Sequence, residues 1–332
     1  MLELEQRTKD KAYRRYASGV ERALSLFDTA LQEWADYISF LGRLFKALQA
    51  HPPKVNSIPM SAMVAKRLAQ CLDPSLPSGV HQKALDVYAY VFDLIGTDHL
   101  SDYLPIYLPG LSPTLSFASL SVRPAFLSLL ENQVLRVRPS ALRPALRAII
   151  LTLLPGLEEE TSEEFERTLR LLEGFKEAVK TRGDPDIPSE NGAGDEYFWQ
   201  CFFLASVTSP SRRQGALAFL VRRLPKLSGP INRRRSEPTE DDVLEHQDQG
   251  RLPASVEAVV APEPGLLVRC FAAGLSDDQL LIQRGFLDLL LTHLPLHCTV
   301  LQTRVTADDR ERLMTAAVGV VARKDMGLNR RL

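Results

Sequence analysis

Apolar residues recur every three or four positions through most of the chain, and one such helical pattern returns four times. The copies begin near residues 80, 122, 212 and 282. When they are aligned, three apolar positions coincide: Leu85, Leu127, Leu217 and Leu287; Tyr88, Leu130, Leu220 and Leu290; and Phe92, Val134, Leu224 and Leu294. A helix with one apolar face must bury that face against its neighbours, so recurring copies stack. The pattern predicts an all-α fold, an α-solenoid of stacked HEAT- or armadillo-like helical hairpins.

The spacing of the copies supports a repeat array with an interruption. Their offsets are 42, 90 and 70 residues, and the first two fit one and two periods of about 40–47 residues. We predict a single solenoid over residues 1–332, with a polar loop at 184–194 and a flexible loop at 228–262. The second loop is rich in Pro, Ser, Arg and acid, so it has too few large apolar groups to offset the entropy lost on ordering.

Capping residues and helix breakers indicate where the helices begin and end. Residues 9–49 are expected to form two antiparallel helices with a break near 28–33, and prolines are expected to divide 98–118 into short turns. Gly96 is a typical carboxyl-terminal residue, and residues 161–164 and 276–279 match the capping-box pattern. Side-chain caps are predicted at five positions: Ser78, Ser121, Ser209, Ser276 and Thr306.

Composition and charge limit the classes of function. The net charge of −1 over 332 residues gives no general attraction to nucleic acid or membranes. The four cysteines are far apart and mostly flanked by apolar residues, which predicts buried thiols in a reducing compartment rather than disulfides. We find no signal-peptide pattern and no apolar run near the roughly 20 residues that span a bilayer. We therefore expect a cytosolic protein.

Motifs that would carry catalysis are missing from the sequence. It contains no phosphate-binding Gly-Lys-Ser/Thr loop, no dinucleotide glycine fingerprint, no nucleophile-elbow serine and no His-Glu-x-x-His. His293, His297 and Cys298 are close in sequence, but Pro295 interrupts the helix and no second ligand pair follows at a zinc-like spacing. We predict a non-enzymatic protein without catalytic residues, metal or cofactor.

Basic residues are the candidates for binding. Residues 197–236 hold eight Lys or Arg and no acid, and residues 237–248 hold six acids. The candidates for contact with anionic lipid or a protein partner are Lys66, Arg67, His81, Lys83, Arg212 and Arg213. Solvated helix faces or ion pairs are the alternative for these charges. Ser236 follows three arginines and is a candidate phosphosite, with an unmodified loop as the alternative.

Five collinear blocks carry a resemblance to a known family. Residues 65–88 contain Leu72-Asp-Pro-Ser-Leu-Pro-Ser-Gly-Val-His81, and further matches lie in residues 9–16, 33–36, 153–159 and 323–332. Together they resemble the N-terminal region of the Dopey family, very large cytosolic proteins that act at the trans-Golgi network and endosomes. The present chain would be the first part of such a protein.

The resemblance also implies partners. It implies a scaffold in Golgi–endosome membrane traffic, bound to a large helical-repeat protein related to Arf exchange factors and peripheral on those membranes. Some members are linked to a Golgi phosphoinositide and to kinesin. A dedicated phosphoinositide-headgroup-binding module built on the basic residues is the alternative. Neither expectation includes nucleic acid.

Overall fold

The computed structural model describes residues 10–30, 33–53, 55–180, 195–227, 252–261 and 263–322. These residues form fifteen α-helices and no strand, which confirms the all-α prediction. The helices are α1 Lys11–Ser25, α2 Phe27–Ala30, α3 Trp34–Gln49, α4 Ser61–Gln70, α5 Ser78–Ile95, α6 Thr97–Leu111, α7 Arg123–Asn132, α8 Pro139–Leu153, α9 Phe165–Ala178, α10 Asp195–Thr208, α11 Arg213–Arg223, α12 Ala254–Val260, α13 Pro264–Leu275, α14 Leu280–His293 and α15 Ala307–Ala322.

The helices belong to two compact units, whose main boundary falls near residues 180–188. In the first unit, α1, α3, α5, α7 and α9 pack one against the next in a row, and α4, α6 and α8 form a second row. In the second unit, α10, α13 and α15 form one row and α11 packs against α14. Two rows of helices, each in contact with its neighbours in the row, are the packing of a helical-repeat solenoid.

Hydrogen bonds between neighbouring helices show the repeat length directly. Arg167 donates to Ser128, 39 residues earlier, at 2.7 Å. Thr152 donates to Ser112, 40 residues earlier, at 3.0 Å, and Arg269 bonds to Asp309, 40 residues later, at 2.9 Å. Because residues about 40 apart lie side by side in both units, the HEAT-like period is confirmed. Continuity of one solenoid through both units stays a prediction.

The four repeated patterns are helices α5, α7, α11 and α14. Helix α5 packs against α7 in the first unit, and α11 packs against α14 in the second. Every aligned apolar residue is buried except Leu217, which is half-buried. The predicted hairpin at the amino end is also confirmed, because α1 ends at Ser25, α3 begins at Trp34, and the two pack together. Gly96 ends α5 with φ at 76°, a conformation that favours glycine.

Most of the predicted side-chain caps are wrong. Ser78 is the first helical residue of α5 and Pro77 precedes it, while Val122 precedes α7 and Gln279 precedes α14. Ser276 ends α13 instead, and Ser209 makes no capping hydrogen bond. The box at 161–164 is a turn, because α9 begins only at Phe165. Thr306 is confirmed as a cap, since its hydroxyl oxygen accepts from the Asp309 N–H at 3.3 Å.

Two predictions about irregular segments also need correction. Residues 97–111 form one continuous helix, because Pro105 and Pro109 are exposed, while the opposite face is buried through Leu100, Leu104 and Tyr107. The predicted flexible loop contains α12, whose valines are buried. The composition of the whole segment is polar, and it therefore concealed one short apolar helix. The rest of that loop, at 228–251 and 262, and the predicted loop at 184–194 lie outside the described residues.

One helical stretch is longer and more apolar than we expected from the sequence, in which we found no run of membrane-spanning length. Pro139–Leu157, which includes α8, is long and apolar enough by length and composition to cross a membrane. However, 56% of the window is buried inside the protein. Burial of that extent is typical of a core helix, so the stretch gives only weak support for a membrane span.

Candidate functional site

Arg67 is placed inside the first unit rather than on its surface. Its guanidinium donates to both carboxylate oxygens of Asp28, at 2.8 and 2.6 Å, and to Gln70 at 3.0 Å. It also lies 4.4 Å from the centre of the Phe27 ring, a cation–π contact. The side chain is 11% exposed. Arg67 therefore ties α4 to the α2 segment.

The other three candidates near residues 65–88 have different surroundings. His81 is buried, with Nε2 at 2.8 Å from the Asp73 carbonyl oxygen, and its ring packs against Phe117. Lys83 is half-buried, 3.7 Å from Asp86 and 5.2 Å from the centre of the Phe45 ring. Lys66 is exposed. Of these four residues, only Lys66 presents its charge freely to solvent.

Arg212 and Arg213 lie in the second unit and both meet acids. Arg213 donates to Asp277 at 2.8 Å and to the Ser206 carbonyl at 3.2 Å, with its side chain 12% exposed. Arg212 is 3.9 Å from Glu158. Arg213 thus connects the start of α11 to the segment before α14. Ser236 lies outside the described residues, and lipid or partner binding by all these candidates stays a prediction.

A set of basic residues that was not predicted from the sequence lies on α1. Lys11, Arg14, Arg15 and Arg22, here called the α1 basic stripe, are all exposed and follow helical spacing. No described acidic side chain forms an ion pair with them. At about 100° per residue the stripe lies opposite the buried Val20. The signal was available in the sequence, as basic residues three, four and seven positions apart.

A groove lies between α6 and α8 in the first unit. Ser112 and Thr152 are hydrogen-bonded near the carboxyl ends of the two helices, and Ser101 and Ser140 line the groove near their amino ends. The helices therefore run in the same direction. The groove has a volume of about 770 Å³. Its apolar lining is Leu104, Pro105, Leu108, Pro109, Ala141, Pro144, Ala145 and Ala148.

The described residues offer no constellation for metal or thiol chemistry. Among them, no group of three or more His, Cys, Asp or Glu side chains is placed to hold a metal ion. None of the four cysteines, all of which are described, forms a disulfide; Cys71, Cys270 and Cys298 are buried as expected, and Cys201 is half-buried. Burial raises the pKa of Cys71 and of Cys270 to about 12, so these thiols stay protonated and unreactive at neutral pH.

Comparison with known proteins identifies close relatives along the whole chain. The family described as Dopey, N-terminal, matches residues 10–332. Protein dop1 of Emericella nidulans is 61% identical over 98% of this chain. Protein DOP1 of Saccharomyces cerevisiae is 37% identical and Protein DOP1B of Mus musculus is 36% identical, each over 97% of this chain.

These relatives are much longer than the present chain. The aligned region is 17% of the Emericella protein, 19% of the yeast protein and 12% of the mouse protein. No solved structure matches the chain. The similarity therefore concerns one region of a large protein.

Proposed function

The chain belongs to the Dopey family, and from that membership we propose that it is a non-enzymatic docking module in membrane traffic between Golgi and endosomes. The observation that carries the proposal is the repeat of about 40 residues, seen in the Arg167–Ser128, Thr152–Ser112 and Arg269–Asp309 bonds. Helical repeats provide extended surfaces for partners rather than enclosed sites for reactions. The absence of catalytic motifs in the sequence agrees with this role.

The proposed partner is a large helical-repeat protein related to Arf exchange factors, with kinesin as a further candidate. Both come from the family resemblance, and the proposed location is the cytosolic face of trans-Golgi and endosomal membranes. An array of this kind distributes binding over many exposed side chains of several helices. We therefore expect a single surface substitution to weaken the complex only partly.

Co-purification from cells would test the docking role. The complete protein, tagged at its carboxyl end, is compared with the same protein lacking residues 1–332, and the bound helical-repeat partner is quantified by mass spectrometry. We expect the deletion to abolish recovery of the partner. The same amount of partner on both proteins would contradict docking by this region.

A second candidate function is binding of anionic membrane, and the α1 basic stripe favours it. Its four cations are exposed and lie on one side of α1, so all of them can approach a flat surface together. A Lys or Arg near an anionic leaflet contributes about 1 kcal/mol. Four such residues are enough for reversible attachment, and the attraction weakens as salt rises.

Vesicle flotation separates this candidate from a specific headgroup pocket. Vesicles of phosphatidylcholine alone, with phosphatidylserine, or with a phosphatidylinositol phosphate are incubated with the chain. We expect flotation with both anionic mixtures, lost on the combined change Lys11→Glu, Arg15→Glu and Arg22→Glu. Lys46→Glu on α3 is the control, because it reverses one exposed charge that belongs neither to the stripe nor to the predicted candidates. Flotation with the phosphoinositide mixture alone, unaffected by the triple change, would favour the headgroup-pocket alternative instead.

A further inference from the structure

We propose that the groove between α6 and α8 binds an extended peptide segment of a partner protein, whose backbone N–H groups donate to helix carbonyls exposed by three prolines. The inference deepens the proposed docking function and rests on it only in taking a protein as the partner. It is carried by the position of Pro105, Pro109 and Pro144, all of which line the groove.

Each of these prolines removes a hydrogen bond from its own helix. Proline has no N–H, so the carbonyl four residues earlier lacks its usual helical donor. The carbonyls affected belong to Ser101, Pro105 and Ser140, and all three of these residues also line the groove. The groove therefore brings together three acceptors whose helical donors are missing.

The partner must supply N–H donors to these three carbonyls, and an extended peptide is the segment best able to do so. A helix already uses its N–H groups internally, and a lipid tail has none. An extended chain presents N–H groups alternately on its two edges, about 6.6 Å apart along each edge. The carbonyls of Ser101 and Pro105 are four helical residues apart, about 6 Å along α6. Ser140 is on α8, the opposite wall, where the other edge of an extended chain would lie.

The length and lining of the groove agree with a short segment. The part of α6 that lines the groove, with Ser112 just after it, extends about 16 Å from residue 101 to residue 112, which is the length of about five extended residues. Leu104 and Leu108 are buried, and the α8 wall includes the small residues Ala141, Ala145 and Ala148, so apolar side chains of the segment can approach closely. Asp102 and Arg138 line the same end of the groove and can pair with a charged group of either sign on the segment.

A displayed peptide library identifies binders even when the partner protein is unidentified. A phage library of random twelve-residue peptides is selected on the purified chain, and recovered peptides are synthesised for fluorescence anisotropy. The main variant combines Pro105→Ala, Pro109→Ala and Pro144→Ala, which restores the three helical N–H donors. Pro113→Ala, a proline that does not line the groove, is the matched control. Thermal unfolding is recorded for each variant.

We expect the triple variant to keep or raise its melting temperature and to lose peptide binding more than tenfold, while the control binds like the parent. Methylating one peptide nitrogen at a time should weaken binding up to about tenfold at every second residue, the value of one hydrogen bond. Recovery of no peptide, equal binding by the triple variant, or a helical period in the methylation scan would overturn the proposal. Partner co-purification that persists after any of those results would leave the docking function standing.

Discussion

Arg67 lies in the segment that resembles the Dopey family, yet its basic side chain makes its contacts inside the protein rather than with solvent. The guanidinium is 11% exposed, whereas its partner Asp28 is 62% exposed. Removing the partner of a largely buried charge leaves that charge uncompensated, which costs more than the pair contributes. The remaining contacts are Gln70 and the Phe27 ring. Loss of the acid therefore affects folding stability rather than a surface property.

The change Asp28→Ala is expected to lower the free energy of unfolding by about 1–2 kcal/mol, less than for a fully buried pair because the carboxylate is partly hydrated. Urea unfolding followed by circular dichroism measures the loss. Glu21→Ala, which removes an exposed acid on α1 away from the Arg67 contacts, serves as the control and should change stability by less than about 0.5 kcal/mol. Equal values for both variants would show that the Arg67 contacts do not stabilise the fold.

Asp309 provides a pH-dependent contribution in the second unit. Burial raises the pKa of this carboxyl, but hydrogen bonds from Arg269 and Thr306 and the charges of Arg269 and Arg312 outweigh burial and lower the pKa below its ordinary value. A carboxyl with a lowered folded pKa stabilises the protein above its unfolded pKa, and this stabilisation is lost as pH falls through the folded pKa. The effect is therefore confined to acidic solution.

We expect the unfolding free energy of the parent to fall more steeply on acidification than that of Asp309→Asn, because only the parent loses the stabilisation from a carboxyl with a lowered pKa. Denaturant titrations at a series of pH values between neutral and acidic solution measure both slopes. Asp308→Asn, an exposed neighbour, is the control and should retain the steep slope of the parent. Parallel curves for the parent and Asp309→Asn would contradict the assigned contacts.

At the element scale, the contact between α4 and α6 depends on a missing side chain. A Cβ at Gly110 would lie 2.6 Å from Ala69 Cβ and 2.7 Å from Tyr88 Oη. Distances this short force the helices apart. Gly19 in α1 has open space around the same position.

Gly110→Ala is expected to destabilise the chain by about 1–3 kcal/mol through overpacking, although alanine favours a helix. Gly19→Ala should instead stabilise it by about 0.5–1 kcal/mol through helix propensity. Thermal and urea unfolding of the two variants measure the opposite signs. Stabilisation by both substitutions would mean that α4 and α6 separate easily at this point.

Repeated apolar patterns predicted helices well, while their ends were predicted poorly. The aligned leucines succeeded because burial fixes spacing along a helix. Helix α9 was not recognised as a copy, although Leu169 and Leu172 are buried and lie 42 residues after Leu127 and Leu130. The caps failed because serine also suits turns, so the sequence alone does not distinguish a turn before a helix from its first residue. Pro105 and Pro109 led to a wrong prediction of short turns, because tertiary packing of the opposite face keeps α6 continuous and local sequence does not show that packing.

At the scale of the whole molecule, repeat architecture was predictable and the binding surfaces were not. A groove such as that between α6 and α8 depends on which helices become neighbours, and this follows from packing rather than from any local motif. The predicted basic residues show the same limit. Position in the family-like block selected Arg67 and position at the start of a repeated helix selected Arg213, but both are bound to acids. The exposed α1 basic stripe required knowing which face of α1 is buried.

The two-unit organisation predicts that destabilisation stays local. In repeat proteins each element contacts only its neighbours, so stability is close to a sum of local contributions. Gly110 lies in the first unit and Gly274 in the second, where an added Cβ would overlap the Phe286 ring. Gly110→Ala should therefore speed hydrogen exchange in α4 to α8, and Gly274→Ala should speed it in α13 and α14. Mass spectrometry of peptic fragments resolves the two regions, with Gly19→Ala as the control that speeds neither. If either glycine variant raised exchange equally throughout the described helices, the chain would unfold as one cooperative body, and the additive description of its repeats would be wrong.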